Sequence, residues 1–119
     1  MITLKGQLFA ALEGVAAELV YGHPRDFAAL PLLVWRESQN REYAQAGAGE
    51  YLAEINYTLD LYAAEMEQAG SLFADVDARM RAAGFRREAC AELYETDRHI
   101  CHTSARYRAL ADAQGNIYQ

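Results

Sequence analysis

The stretch YLAEINYTLDLYA, Tyr51 to Ala63, alternates in steps of two: Tyr51, Ala53, Ile55, Tyr57, Leu59, Leu61 and Ala63 are apolar, and Glu54, Asn56, Thr58 and Asp60 between them are polar. A period of two sustained this long predicts a half-buried β-strand, because successive side chains of a pleated chain point to opposite faces. At about 3.3 Å per residue the stretch would span on the order of 43 Å, whereas strands of more than roughly 10 residues are uncommon. One end is therefore expected to project beyond the domain's own core, where an unpaired edge invites a partner.

Outward from this strand, Leu32 to Trp35 is a dense apolar run flanked by Pro31 and by polar Arg36 to Asn40, the mark of a second strand. Arg41 to Glu50, with Gly47 and Gly49, reads as the connection between the two, which pairs them as an extended antiparallel hairpin. Upstream, Leu4, Leu8, Ala11, Leu12 and Val15 form one stripe of a short helix over Thr3 to Val15. Glu18 to Tyr21 follows as a short strand stopped by Gly22, His23 and Pro24, and Asp26 to Leu30 as a single turn.

Downstream, Ala69, Gly70 and Ser71 end the long strand and open a second helix with Ser71 as its N-cap. Leu72, Phe73, Val76, Met80 and Ala83 make its buried stripe, and Gly84 fits the left-handed position after its last turn. Arg86 to Tyr94 is a strand by composition, although its alternation is poor. After a turn at Glu95 to Arg98, Cys101 to Ala111 alternates again, and Gly115 allows Ile117 and Tyr118 to fold back as a last strand. The order predicts a single α+β domain over residues 1–119, an antiparallel sheet with a long β-hairpin and both helices packed on its apolar face.

Composition narrows the function. With 52% hydrophobic and 24% charged residues in a chain of 119, the sequence is that of one ordinary folded domain. The longest uncharged run, Phe27 to Trp35, is far short of the roughly 20 apolar residues a membrane span needs, and Glu13 and Glu18 interrupt any secretory core. A net charge of -6 argues against nucleic-acid binding, which draws on neutralised phosphates. Residues 1–78 carry twelve acidic and four basic side chains, and residues 79–119 five acidic and seven basic. Such polarity suits a head-to-tail ring in which the acidic part of one copy faces the Arg-rich part of the next.

No active site is expected. His99, Cys101 and Cys90 are thinkable as zinc ligands, but His99 and Cys101 face one side of a strand and His102 the other. A Cys–His nucleophile pair would lack an oxyanion cradle. The two cysteines read as reduced, half-buried thiols, with spacing alone leaving a disulfide open. His23, before Pro24, reads as structural, and Glu65 and Glu67, expected at a strand end, are poor candidates for a paired acid and base. Gly47, Ala48 and Gly49 lead into a strand, not into the helix N-terminus that a phosphate cradle requires. Trp35 and the eight tyrosines suit core and interface better than a ligand cage.

Several spaced aromatics and arginines carry a resemblance. They are Gly84-Phe85-Arg86-Arg87-Glu88, then Leu93-Tyr94, then Arg106-Tyr107-Arg108-Ala109, then Asp112 and Gly115-Asn116-Ile117-Tyr118-Gln119. Tyr21-Gly22-His23-Pro24-Arg25-Asp26-Phe27, Leu30-Pro31 and Arg36-Glu37 add to it in the first half. Together they make the chain resemble the small neck and tail-completion (tail terminator) proteins of long-tailed bacteriophages and prophages. The resemblance implies an α+β structural subunit, not an enzyme, with no cofactor; the residues themselves lead to the expectation of no metal and no membrane. It would act in the virion or, before assembly, in the bacterial cytoplasm.

Its implied partners are copies of itself in a ring, often hexameric, and the tail tube and neck proteins. In such a ring Arg41, Tyr43, Glu50, Glu54, Asp60, Arg106 and Arg108 are the expected oligomer-interface residues, and the acidic half would line a channel that repels DNA phosphates. The competing expectation is a small α+β ligand- or metal-binding domain without catalysis.

Overall fold

Two helices and six strands are formed by the residues that the computed structural model describes, 1–24, 26–44 and 51–118. In chain order they are α1 (Lys5–Leu12), β1 (Glu18–Tyr21), β2 (Leu32–Ala44), β3 (Tyr51–Ala63), α2 (Met66–Ala82), β4 (Arg86–Glu95), β5 (Ile100–Asp112) and β6 (Ile117–Tyr118). The strands make one sheet in the order β1-β2-β3-β5-β4, with β6 continuing beyond β4 along the same side of β5. Every pairing is antiparallel except β1 with β2, which is parallel. Because β3 and β4 are each antiparallel to β5, they run parallel to one another with β5 between them, and α2 is the crossover.

The alternation in β3 does what the sequence predicts. Ala53, Ile55, Tyr57, Leu59 and Leu61 face the helices and join Leu8 and Leu12 of α1, Val76 and Met80 of α2, and Ala105, Tyr107 and Ala109 of β5 in one core. Fully burying a large apolar side chain contributes roughly 1.5–3 kcal/mol, so this central row anchors the fold. Asn56, Thr58 and Asp60 face the other way. Among the described residues that second face is covered at one end, where Phe27 and Leu30 pack on Leu32, Val34, Tyr62 and Ile100.

Several boundaries move from those expected. Polar β2 continues to Ala44 instead of stopping at Trp35, since every residue beyond Trp35 apart from Ser38 has a partner on β3. A bulge at Ser38 shifts the register between Glu37 and Gln39, reversing which parity faces the helices. Helix α2 begins five residues before Ser71, at Met66, and Glu65 stands at its N-cap in extended geometry without a side-chain cap. Gly70 therefore lies inside the helix rather than before it.

The molecule is elongated, with extents of 54 × 23 × 20 Å. Its radius of gyration is 15.5 Å, against about 13.5 Å for a compact chain of this length. The expected overhang of β3 is nevertheless closed within the chain: Tyr51 is its one exposed residue. The N-terminal segment lies over that end. Ile2 donates its N–H to Glu42 at 2.8 Å, Asn40 donates to the Ile2 carbonyl at 2.7 Å, and Leu4 donates to the Tyr57 hydroxyl at 3.0 Å. The strand left uncovered is β4, exposed from Arg86 to Tyr94. The Arg41 to Glu50 connection lies largely outside the described residues, as do Arg25 and Gln119.

Candidate assembly surface

The face of the sheet opposite the helices gathers most of the residues expected at an interface. Arg41 reaches Glu54 at 3.3 Å, and Arg108 Nε reaches the other Glu54 oxygen at 3.2 Å. The hydrogen bond from Arg108, with Arg41 adding to it, holds the Glu54 carboxyl below the usual carboxylate range against the opposing effect of burial. Arg108 also lies 3.9 Å from Glu88, which accepts a 3.1 Å hydrogen bond from buried Asn56. Arg106 donates to Gln39 at 3.0 Å. Tyr43 pairs with Leu52 in the β2–β3 ladder, and Glu50 lies outside the described residues.

Further along the same face, Asp60 is held between two cations or donors, Arg36 at 3.4 Å and His102 Nε2 at 2.8 Å. The His102 ring stacks on Tyr62 with centroids 4.3 Å apart, and its Nδ1 lies 3.6 Å from Glu95. The structure thus joins Arg41, Glu54 and Arg108 into one chain of charge and sets Asp60 apart with Arg36 and His102. Glu54 and Asp60 are both met by arginines, so neither presents the bare carboxylate that a phosphate-repelling channel would need.

The proposed chemistry of His99, Cys101 and Cys90 is not assembled. In the β4–β5 register Cys90 sits opposite Ala105 and Cys101 opposite Tyr94, four rungs apart, and both cysteines are free thiols. His99 occupies the turn with φ 55° and lies 3.2 Å from the Tyr94 hydroxyl. Among the described residues no group of three His, Cys, Asp or Glu side chains is placed to hold a metal ion. Glu65 and Glu67 belong to the start of α2. Tyr57 and Tyr107 are buried core residues rather than walls of a cage.

A second surface escaped sequence reasoning. On the helix side of β4, the first turns of α2 leave a groove of about 230 Å³ lined by Met66, Ala69, Gly70, Glu92, Leu93 and Tyr94, with β5 as its floor. Met66 of α2 is 77% exposed and Tyr94 53% beside this groove, while Leu93, paired with His102, is 51% exposed on the opposite face of β4, an edge strand that pairs only with β5 among the described residues. The legible signal was the poor alternation of β4 itself: ALA-CYS-ALA-GLU-LEU-TYR over 89–94 puts apolar side chains on both faces, which a half-buried strand does not need.

Two extended polar and apolar surfaces on a sheet with open edges, and no assembled catalytic group among the described residues, are features of a subunit built to be packed against others. The family described as tail completion protein gp17 matches residues 6–112, nearly the whole chain. No curated protein matches the chain. No described helix is long and apolar enough to cross a membrane. From α1 to the end of β5, then, the chain belongs to the tail completion protein gp17 family, a phage tail-completion family whose members serve tail assembly.

Proposed function

We propose that the chain is a non-enzymatic ring subunit that caps the tail tube and joins it to the head, in contact with tube and neck proteins. It would reach this place from the bacterial cytoplasm and remain in the virion. The observation that carries the reading is the open sheet. β1 and β4 stand at opposite edges, and β4 exposes nine residues of strand with Leu93 and Tyr94 among them. A sheet with unlike free edges makes heterologous contacts, which close into rings when each copy is rotated relative to the last.

The hairpin end is proposed as a second contact. Arg41 and Glu54, with Arg108 behind them, would meet a neighbouring copy or the tube, and Tyr43 and Glu50 are proposed to take part in the same contact. Asp60 and Arg106 would support the face between. Their internal ion pairs make this contact a preformed charged surface rather than one that awaits neutralisation.

Light scattering over a concentration series, with negative-stain imaging of purified tails, tests the reading. Rings in concentrated protein, or ring density at the end of the tail that lies against the head, are expected. A protein that stays monomeric at every concentration and leaves no ring on tails would end it.

A further inference from the structure

We propose that the groove between α2 and β4 seats Phe9 of the next copy, so that the helix layers of neighbouring subunits join edge to edge. This rests on the ring reading and specifies its contact. Phe9 is 54% exposed on α1, although Leu8 and Leu12 of that short helix are fully buried. Lys5, one turn earlier on the same helix face, places its ammonium 5.1 Å from the Tyr21 ring, which is itself 55% exposed at the end of outermost strand β1. Lys5 thus meets Tyr21 at the β1 edge, and Phe9, on the Lys5 face of α1, supplies an apolar knob on that side.

The groove has the complementary character at the opposite edge. Its apolar walls are Met66, Ala69 and Tyr94, with Glu92 beside them, and Glu67 follows Met66 on the first turn of α2. Gly70 forms part of the wall, and a Cβ there would meet nothing within 4 Å, so the space is open. Knob and groove lie in the same layer and near the same height: the cross-strand row Tyr21, Trp35, Leu59, Ala105 and Cys90 runs from the knob to β4 and ends two residues before Glu92. An aromatic side chain entering an apolar pocket, with Lys5 facing Glu67 and Glu92, is the kind of buried anchor that dominates interface energy. Because knob and groove are different surfaces at opposite edges, the contact repeats head to tail and every copy uses both.

Phe9→Glu and Gly70→Trp test it, the first placing a charge on the knob and the second filling the groove; both positions are open to solvent, and circular dichroism verifies that each variant folds. Each variant alone should lose ring formation, with association weakened more than about tenfold. Mixed in equal amounts they should stop at a one-to-one pair, since the intact Phe9 of one still fits the intact groove of the other. A photoreactive benzoylphenylalanine at position 9, irradiated in assembled tails, should cross-link to the peptide holding Met66–Gly70 or to that holding Leu93–Tyr94. Wild-type rings combined with unimpaired variants, with no pair in the mixture, or with cross-links to other peptides would overturn this contact and leave the ring reading standing. Absence of rings from wild-type protein and tails alike would remove both.

Discussion

Tyr107 donates a 2.6 Å hydrogen bond to the Asp77 carboxylate, which ties the middle of β5 to the outer half of α2. The tyrosine is fully buried and its phenol, pushed well above its usual range chiefly by burial and then by that carboxylate, stays protonated as the donor. Asp77 in turn takes Arg81 at 2.8 Å and Arg87 at 3.4 Å, so helix, β4 and β5 meet at one carboxyl group. Tyr107→Phe keeps the ring in the core and removes only the donor. It should lower stability by about 1.5–3 kcal/mol, the range for a hydrogen bond to a charged group. A urea midpoint that falls while the slope stays constant would bear this out, and an unchanged midpoint would refute it.

The same carboxyl sets a pH dependence. Burial raises the Asp77 pKa, but the hydrogen bonds from Tyr107 and Arg81 and the nearby Arg87 charge outweigh it, and the net value lies below 3.8. A folded-state pKa below the unfolded one stabilises the protein above the unfolded value, and that stability is lost as pH falls through the folded value. Asp77→Asn should therefore be less stable than the natural chain by about 1 kcal/mol at pH 7, with the gap closing below about pH 4. Denaturation curves for both proteins between pH 7 and pH 2.5 decide the matter; a constant gap would show that the carboxylate is not the source.

Gly84 ends α2 with φ 99°, donating to Arg81 O at 3.0 Å while Phe85 donates to Met80 O at 3.0 Å, the paired bonds of a Schellman turn. A Cβ at this position would lie 3.3 Å from Ile117 Cγ2. Gly84→Ala should cost about 1–2 kcal/mol from backbone conformation alone, with a further penalty from the crowded isoleucine. Adding Ile117→Ala to the Gly84 variant should remove the contact penalty but not the conformational one. If thermal melts show Gly84→Ala as stable as the natural chain, the left-handed turn is not required.

This turn was legible in the sequence because a glycine between a helical stripe and Phe85 has few other uses, and β3 was legible because its two faces differ throughout. The start of α2 was not. Ser71 offered a capping side chain, but Met66 to Gly70 could continue the helix backward over the end of β4, and nothing at Gly70 obstructs it. The polar half of β2 hid its strand because its partner face on β3 is polar too, so only the cross-strand pairs Arg41–Glu54 and Arg36–Asp60 reveal it. Alternation marks Glu54, Asp60, Arg106 and Arg108 as the polar positions of β3 and β5; that Arg41 and Arg108 meet Glu54 within the chain depends on register, which a one-residue bulge at Ser38 changes without any mark in composition. The groove on β4 needed the third dimension, since the first turn of α2 had to be seen to lie beside Glu92 and Tyr94.

The N-terminal segment explains why β3 does not overhang, and Tyr57 holds it there. Its hydroxyl accepts the Leu4 N–H at 3.0 Å and donates to Glu37 at 2.9 Å, and Glu37 also accepts from Thr3 Oγ1 at 3.1 Å. Burial pushes the Tyr57 phenol far above its usual range, so this bridge persists throughout the physiological pH interval. Tyr57→Phe would leave the buried Leu4 N–H without its acceptor, a loss of about 1–3 kcal/mol. Because Ile2 and Leu4 cover the far end of the sheet, the loosening should be local first. Amide exchange at Leu4 and Leu8 should accelerate before exchange in β3 and β5 does, and Asn40→Ala, which releases only the Ile2 carbonyl, should produce a smaller change in the same residues. Equal acceleration across α1, β3 and β5 in the Tyr57 variant would show that the segment is no separate strap but part of one cooperative unit.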